Sequence, residues 1–241
     1  MERVLERART RTQLRRGAPA LLLVAVAAAC WAITAQRMEG MDMGPGTPLG
    51  GLGWFAVVWV TMMAAMMLPS LVPMAVAGRN ALVFTCGYLV TWLAAGALAY
   101  ALFEGVRSLD ISWLAWNRGG QYVAAGVILA AALYELTPVK SACLRLCRHP
   151  ELVARRDGPV LLTGLQHGAY CVGSSGALMA ALFAVGVMNV AWMVVIAALV
   201  ALEKLLPWRR PAVMTIALFV AALGVAVALA PGHVPGLTLP G

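Results

Sequence analysis

Along the chain, long apolar runs alternate with short polar joints, and no segment shows the apolar/polar alternation of a half-buried strand. Seven runs stand out, at 18–35, 54–78, 81–103, 121–138, 160–185, 187–206 and 212–230. Each is near the roughly 20 residues that a helix needs to cross the hydrocarbon of a bilayer. The pattern predicts an all-α, polytopic transmembrane helix bundle of about seven spans, and the lack of strand alternation argues against a barrel. Gly186-Val187-Met188-Asn189 leaves so little chain between the fifth and sixth runs that they form a hairpin, with Asn189 expected to cap the turn. The first run follows six arginines within sixteen residues. A basic start before an apolar run also describes a signal peptide, but no small-x-small cleavage pattern follows, so the run is read as a retained helix.

Composition sharpens this picture. The 241 residues are 62% apolar and only 12% charged, where a soluble domain runs at roughly 45–50% and about 25%. That excess excludes a soluble globular enzyme, a disordered chain and a small disulfide-stapled domain. Five cysteines scattered through apolar runs make a poor disulfide framework. The net charge of +8 raises nucleic-acid binding as a question. Its distribution points elsewhere: of the eighteen Lys/Arg, all but Arg37, Arg107 and Arg118 fall on one side once the N-terminus is placed in the cytoplasm. The expected topology is therefore N-in and C-out in a cell membrane. The basic partners are then lipid headgroups, with no nucleic acid involved.

Against this background the chemistry lies in a few exceptions. Met62, Met63, Met66 and Met67 form two pairs spaced one helical turn apart, followed by Pro69 and Pro73. Thioethers are soft ligands suited to Cu(I), although methionine also fills cores. The prolines are expected to kink the span. In the fifth run His167 and Cys171 stand four residues apart, so imidazole and sulfur leave one face. A histidine within a span has to face the bundle interior or a polar cavity. Gly164, Gly168, Gly173 and Gly176 in the same run allow another helix to approach closely. Cys143 and Cys147 are likewise one turn apart, among Lys140, Arg145 and Arg148, which favour the thiolate that acts as ligand. Packing of both cysteines as small apolar groups is an equal reading.

Among charged residues, Glu135 sits inside an apolar run and must pair, be protonated or bind a cation, with Lys140 poorly placed on the same helix as an i+5 neighbour. Glu203 and Lys204, at the end of the sixth run, are expected to snorkel. Met38, Met41 and Met43, with two carboxylates, make the first outer loop a candidate collecting site for soft cations.

The ordered motifs M-M-A-A-M-M-L-P-S, T-P-V-K-x-x-C-L-x-x-C-R-x-P, H-G-x-Y-C-x-G, G-V-M-N-x-x-W-M and E-K-x-x-P run from Met62 to Pro207. They resemble the bacterial family of predicted metal-binding integral membrane proteins, a domain of unknown function also labelled copper chaperone. The resemblance implies metal binding in a core of five helices at 54–207. A basic tail, first helix and Met-rich loop would precede it at 1–53, and a last helix and loose tail would follow at 208–241. In one respect the chain departs from the family pattern. After H-G-x-Y-C-x-G the family carries a cysteine pair and a tryptophan, where this chain has Ser174, Ser175 and Gly176.

The leading expectation is a Cu(I)-binding membrane protein that moves copper or exchanges it with a donor or acceptor protein. Its ligands would be Met62, Met63, Met66, Met67, His167 and Cys171, with Cys143 and Cys147 as a second station and Met38, Met41 and Met43 as an outer one. A metal-free scaffold packing through its Gly- and Met-rich helices is the main alternative. An intramembrane enzyme using His167, Cys171 and Glu135 is a weaker one, because a Cys–His pair on one helix gives poor attack geometry and no oxyanion donors accompany it.

Overall fold

The computed structural model describes residues 2–38, 49–77, 80–109, 116–149, 158–186, 189–205 and 209–234. Its elements are α1 (Glu2–Met38), α2 (Leu52–Ala77), α3 (Ala81–Ser108), a π-helical turn (Trp116–Gly120), α4 (Gln121–Glu135), α5 (Pro138–Arg148), α6 (Val160–Val185), α7 (Val190–Leu205), α8 (Arg209–Leu229) and a short 3-10 turn (Pro231–His233). The described residues contain no strand.

Five helical segments are long and apolar enough to cross a membrane: Gly17–Met38, Leu52–Ala77, Ala81–Ser108, Val160–Val185 and Pro211–Leu229. The run expected as the fourth span is divided. Arg118–Glu135 and Pro138–Arg148 meet at 66° and count as a sixth span only if the bent pair is one. Pro138 causes the break. It opens α5 where a missing N–H costs nothing, and Thr137 caps the new helix by accepting from the Lys140 amide at 3.3 Å. The run at 187–206 is described as α7, whose 16 residues extend about 24 Å, short of the ~30 Å hydrocarbon. The seven apolar runs thus map onto five full-length helices, one bent pair and one short helix. α2 stays helical through both Pro69 and Pro73.

The bundle core forms where small residues let backbones touch. α3 packs extensively on α6, α4 on α8 and α1 on α2. At the α3–α6 crossing a Cβ on Gly87 would run into the Leu161 carbonyl, and one on Gly164 into the Phe84 carbonyl. Gly168 faces Thr91, and Gly173 faces Cys143 Sγ, whereas Gly176 has only ordinary contact with Val172. Close backbone approach is a normal route to helix association in lipid, where burial itself gives no advantage. Side chains then bolt the helices at fixed heights. Thr91 Oγ1 donates to the Leu165 carbonyl at 3.0 Å, Trp59 Nε1 to the Trp92 carbonyl at 2.8 Å, and Tyr134 Oη to the Gly173 carbonyl at 2.7 Å.

Gly164→Val should lower the thermal midpoint in detergent, because overpacking costs about 1–3 kcal/mol. Gly126→Ala, at an exposed position where an added methyl group would meet no other atom within 4 Å, should hold or raise it. Equal midpoints for wild type and Gly164→Val would contradict the tight α3–α6 crossing.

Candidate metal centre

The methionine cluster of α2 faces inward. Met62, Met63, Met66 and Met67 are all buried, so both pairs belong to the interior and neither covers a lipid-facing surface. α2 packs chiefly on α1 and α3 and also touches α7. Lys204 Nζ, from the last turn of α7, lies 3.8 Å from Met67 Sδ, 3.2 Å from Ser70 Oγ and 3.0 Å from Cys171 Sγ. One ammonium therefore joins a thioether of α2 to a thiol of α6.

Cys171 is the most connected sulfur among the described residues. It is fully buried, receives the Lys204 ammonium, and is 3.0 Å from Tyr88 Oη of α3. Cys147 of α5 is a near neighbour of the same cluster through Ser174. Its helical partner His167 is buried between aromatic rings, 5.5 Å from Phe84 and 6.0 Å from Tyr88 by ring centroids. His167 Nδ1 has no hydrogen-bond partner among the described residues. A buried imidazole nitrogen without a partner is uncommon enough to need an explanation, and an available lone pair beside sulfur donors is one.

The two cysteines of α5 both lie against α6. Cys143 Sγ abuts Gly173, while Cys147 is buried 3.7 Å from Ser174 Oγ. Cys147 is thus part of the Cys171 cluster. Ser174 and Ser175 are themselves buried, with Ser174 Oγ donating to the Cys171 carbonyl at 3.0 Å and lying 3.5 Å from Ser175 Oγ. The positions where the family pattern carries sulfur are therefore inside the same cluster.

Beside the sulfurs lies a buried charge triad. Lys140, 1% exposed, forms ion pairs with Glu135 of α4 and Glu203 of α7, which are 0% and 1% exposed. The i+5 separation that makes Glu135 and Lys140 poor partners on a straight helix is cancelled by the bend at Pro138. Glu203 does not snorkel, because Lys140 meets it in the interior. Lys204 turns inward as well, toward Cys171 and Ser70.

The remaining candidates lie apart. Asn189 caps α7, its Oδ1 accepting from the Trp192 amide at 3.2 Å. Met38 is buried beside a cavity of about 180 Å3 between α1 and α2, which Thr34 and Trp54 also line. Arg37 stacks over the Trp54 ring at 5.1 Å. Met41 and Met43 lie outside the described residues. Tyr88, Ser70 and the inward Lys204 are members of the centre that the sequence patterns do not single out. The signal for Tyr88 is only a tyrosine inside a span, which can equally mark an interface.

Among the described residues no three His, Cys, Asp or Glu side chains gather as a metal-holding group. The soft donors in this region are thioethers and thiols, ligand types that suit a soft ion better than a hard cation.

Fold and centre together define a polytopic helical bundle of membrane type with soft donors in its interior. A family model described as copper chaperone (PpoB2) matches residues 56–227, and the chain belongs to that family. No curated protein and no solved structure matches the chain.

Lys140→Met strands two buried carboxylates, and breaking such a pair costs about 3–5 kcal/mol. It should sharply reduce folded yield and the thermal midpoint, and adding Glu135→Gln with Glu203→Gln should restore much of both. A folded, fully stable single variant would contradict the triad.

Proposed function

We propose that this protein binds Cu(I) inside the membrane and hands it to, or receives it from, another protein. The cargo would be held between α2 and α6 by Met67 and Cys171, with His167 and the other methionines of α2 completing the shell. The observation that carries this reading is that the Met67 and Cys171 sulfurs, from two different helices, both lie within 4 Å of the Lys204 ammonium nitrogen, in a family named for copper chaperones. The unpartnered His167 Nδ1 supports it. Thioether donors take up Cu(I) without losing a proton, whereas a thiol must lose one, so the shell mixes weak, exchangeable ligands with one strong one. That balance suits a site that must release what it binds.

With the N-terminus in the cytoplasm, Met38, Met41 and Met43 would sit at the outer end as a collecting point. Cys143, close to Cys147, would lie on the cytoplasmic route. Membrane lipid surrounds the bundle in this reading, and a metal-donor or metal-acceptor protein is its specific partner.

Purified protein under reducing conditions should take Cu(I) from a chromogenic chelator. Replacing Met62, Met63, Met66 and Met67 together by Leu keeps volume and apolarity at small packing cost and should weaken uptake by about a hundredfold, equivalent to roughly 2.7 kcal/mol. Cys171→Ser should weaken it further. A folded wild type that takes up no Cu(I) would overturn the proposal and favour the metal-free scaffold.

A further inference from the structure

Among the described residues, Lys204 is the cation placed directly on the proposed ligand atoms. Its ammonium contacts Cys171 Sγ at 3.0 Å and Met67 Sδ at 3.8 Å, which are the donors a monovalent soft metal would use. We infer that Lys204 is an internal competitor for the cargo: its ammonium holds the Cys171–Met67 donor pair in the metal-free protein, leaves when Cu(I) enters, and promotes release by returning. The inference rests on the copper reading above.

Two positive charges cannot share one sulfur pair in a low-dielectric interior, because their repulsion is strong at such separations. Entry of the metal is then a ligand exchange without electron transfer. The N–H···S hydrogen bonds to Cys171 and Met67 break, the Cys171 S–H proton passes to the ligand that delivered the Cu(I), Cu–S bonds form to the same two sulfurs, and the ammonium keeps its proton and withdraws. α2 provides a place for it to go. Ser70 Oγ already accepts from Lys204 at 3.2 Å. One residue before it, the Pro69 carbonyl has no helical donor, because Pro73 four residues on carries no N–H. Pro73 thus frees an acceptor one residue before the serine that Lys204 already contacts. Glu203, adjacent in α7, is committed to Lys140, so it does not hold Lys204 away from the sulfurs.

A cation that both holds the donors and retreats a few ångströms gives a chaperone a low barrier to unloading. It replaces the metal with a partner already attached to the bundle, so Cys171 is not left uncompensated. This also accounts for a lysine that turns inward from a helix end where the ordinary outcome is snorkelling.

The test compares Cu(I) affinity, by chelator competition, in wild type, Lys204→Gln and Lys204→Arg, together with the copper-induced rise in Tm of each. Removing the charge should tighten Cu(I) binding by about tenfold or more and enlarge the copper-induced Tm rise, because stabilisation by a ligand of the folded state grows with the logarithm of its affinity. Arg, which keeps the charge, should remain near wild type. If Lys204→Gln does not fold, Lys204→Leu serves the same purpose. Unchanged or weaker binding in a folded uncharged variant overturns the inference while leaving the copper reading intact. A wild type that binds no Cu(I) removes the ligand set and the inference with it.

Discussion

A charged or polar side chain inside a membrane-type bundle has to find its partner within the bundle, since neither lipid nor water is available to supply one. Much of this protein's interior follows from that constraint. Lys140 draws Glu135 and Glu203 together, which ties α4, α5 and α7 at one point. Lys204 reaches across from α7 to Ser70 of α2 and Cys171 of α6. The charges are few, so each one places helices relative to one another, and the sulfur donors are brought together largely as a consequence. A hydrophobic pair would pack there as well or better, since buried ion pairs are rarely stabilising against apolar replacements. What the charged pairs add is position: they allow α2, α6 and α7 one register in which Met67, Cys171 and Lys204 coincide.

The close α3–α6 crossing supplies the second requirement. Gly87 and Gly164 bring the backbones together, and Tyr88 can then reach Cys171 from the facing helix. His167 lies in the same layer against Phe84 and Tyr88. His167, Cys171 and the four methionines are all buried, so an ion bound among them would lose its hydration and depend on the donors the protein offers. Soft sulfur ligands match Cu(I), the more weakly hydrated kind of ion, and would not compensate a hard cation for the same loss.

Helical class, the shared face of the four α2 methionines and the shared face of His167 and Cys171 were legible in the sequence because each follows from local spacing on one helix, whereas the burial of that methionine face comes from the packing. Three features were not. The Glu135–Lys140 pair depends on a 66° bend, and a straight-helix register places the two residues on different faces. Glu203 and Lys204 sit where long side chains usually snorkel, and only the arrangement of α2, α5 and α6 around α7 gives them interior partners. Cys147 reads as one half of a local i, i+4 pair, yet its neighbours Cys171 and Ser174 come from α6, 24 and 27 residues away. The serines at 174 and 175 replace sulfur at the wall of this cluster, where a hydroxyl retains the hydrogen bond to the Cys171 carbonyl but contributes little as a ligand to a soft metal.

The central claim is that the bundle presents a mixed thioether, thiol and imidazole shell to one soft ion. X-ray absorption at the copper edge of the Cu(I)-loaded wild-type protein addresses that shell directly. A sulfur-dominated shell with a single nitrogen scatterer, the nitrogen lost in His167→Ala and part of the sulfur lost in Cys171→Ser, is the expected result. A shell of nitrogen and oxygen alone, or a sulfur shell unchanged by both substitutions, would contradict the account.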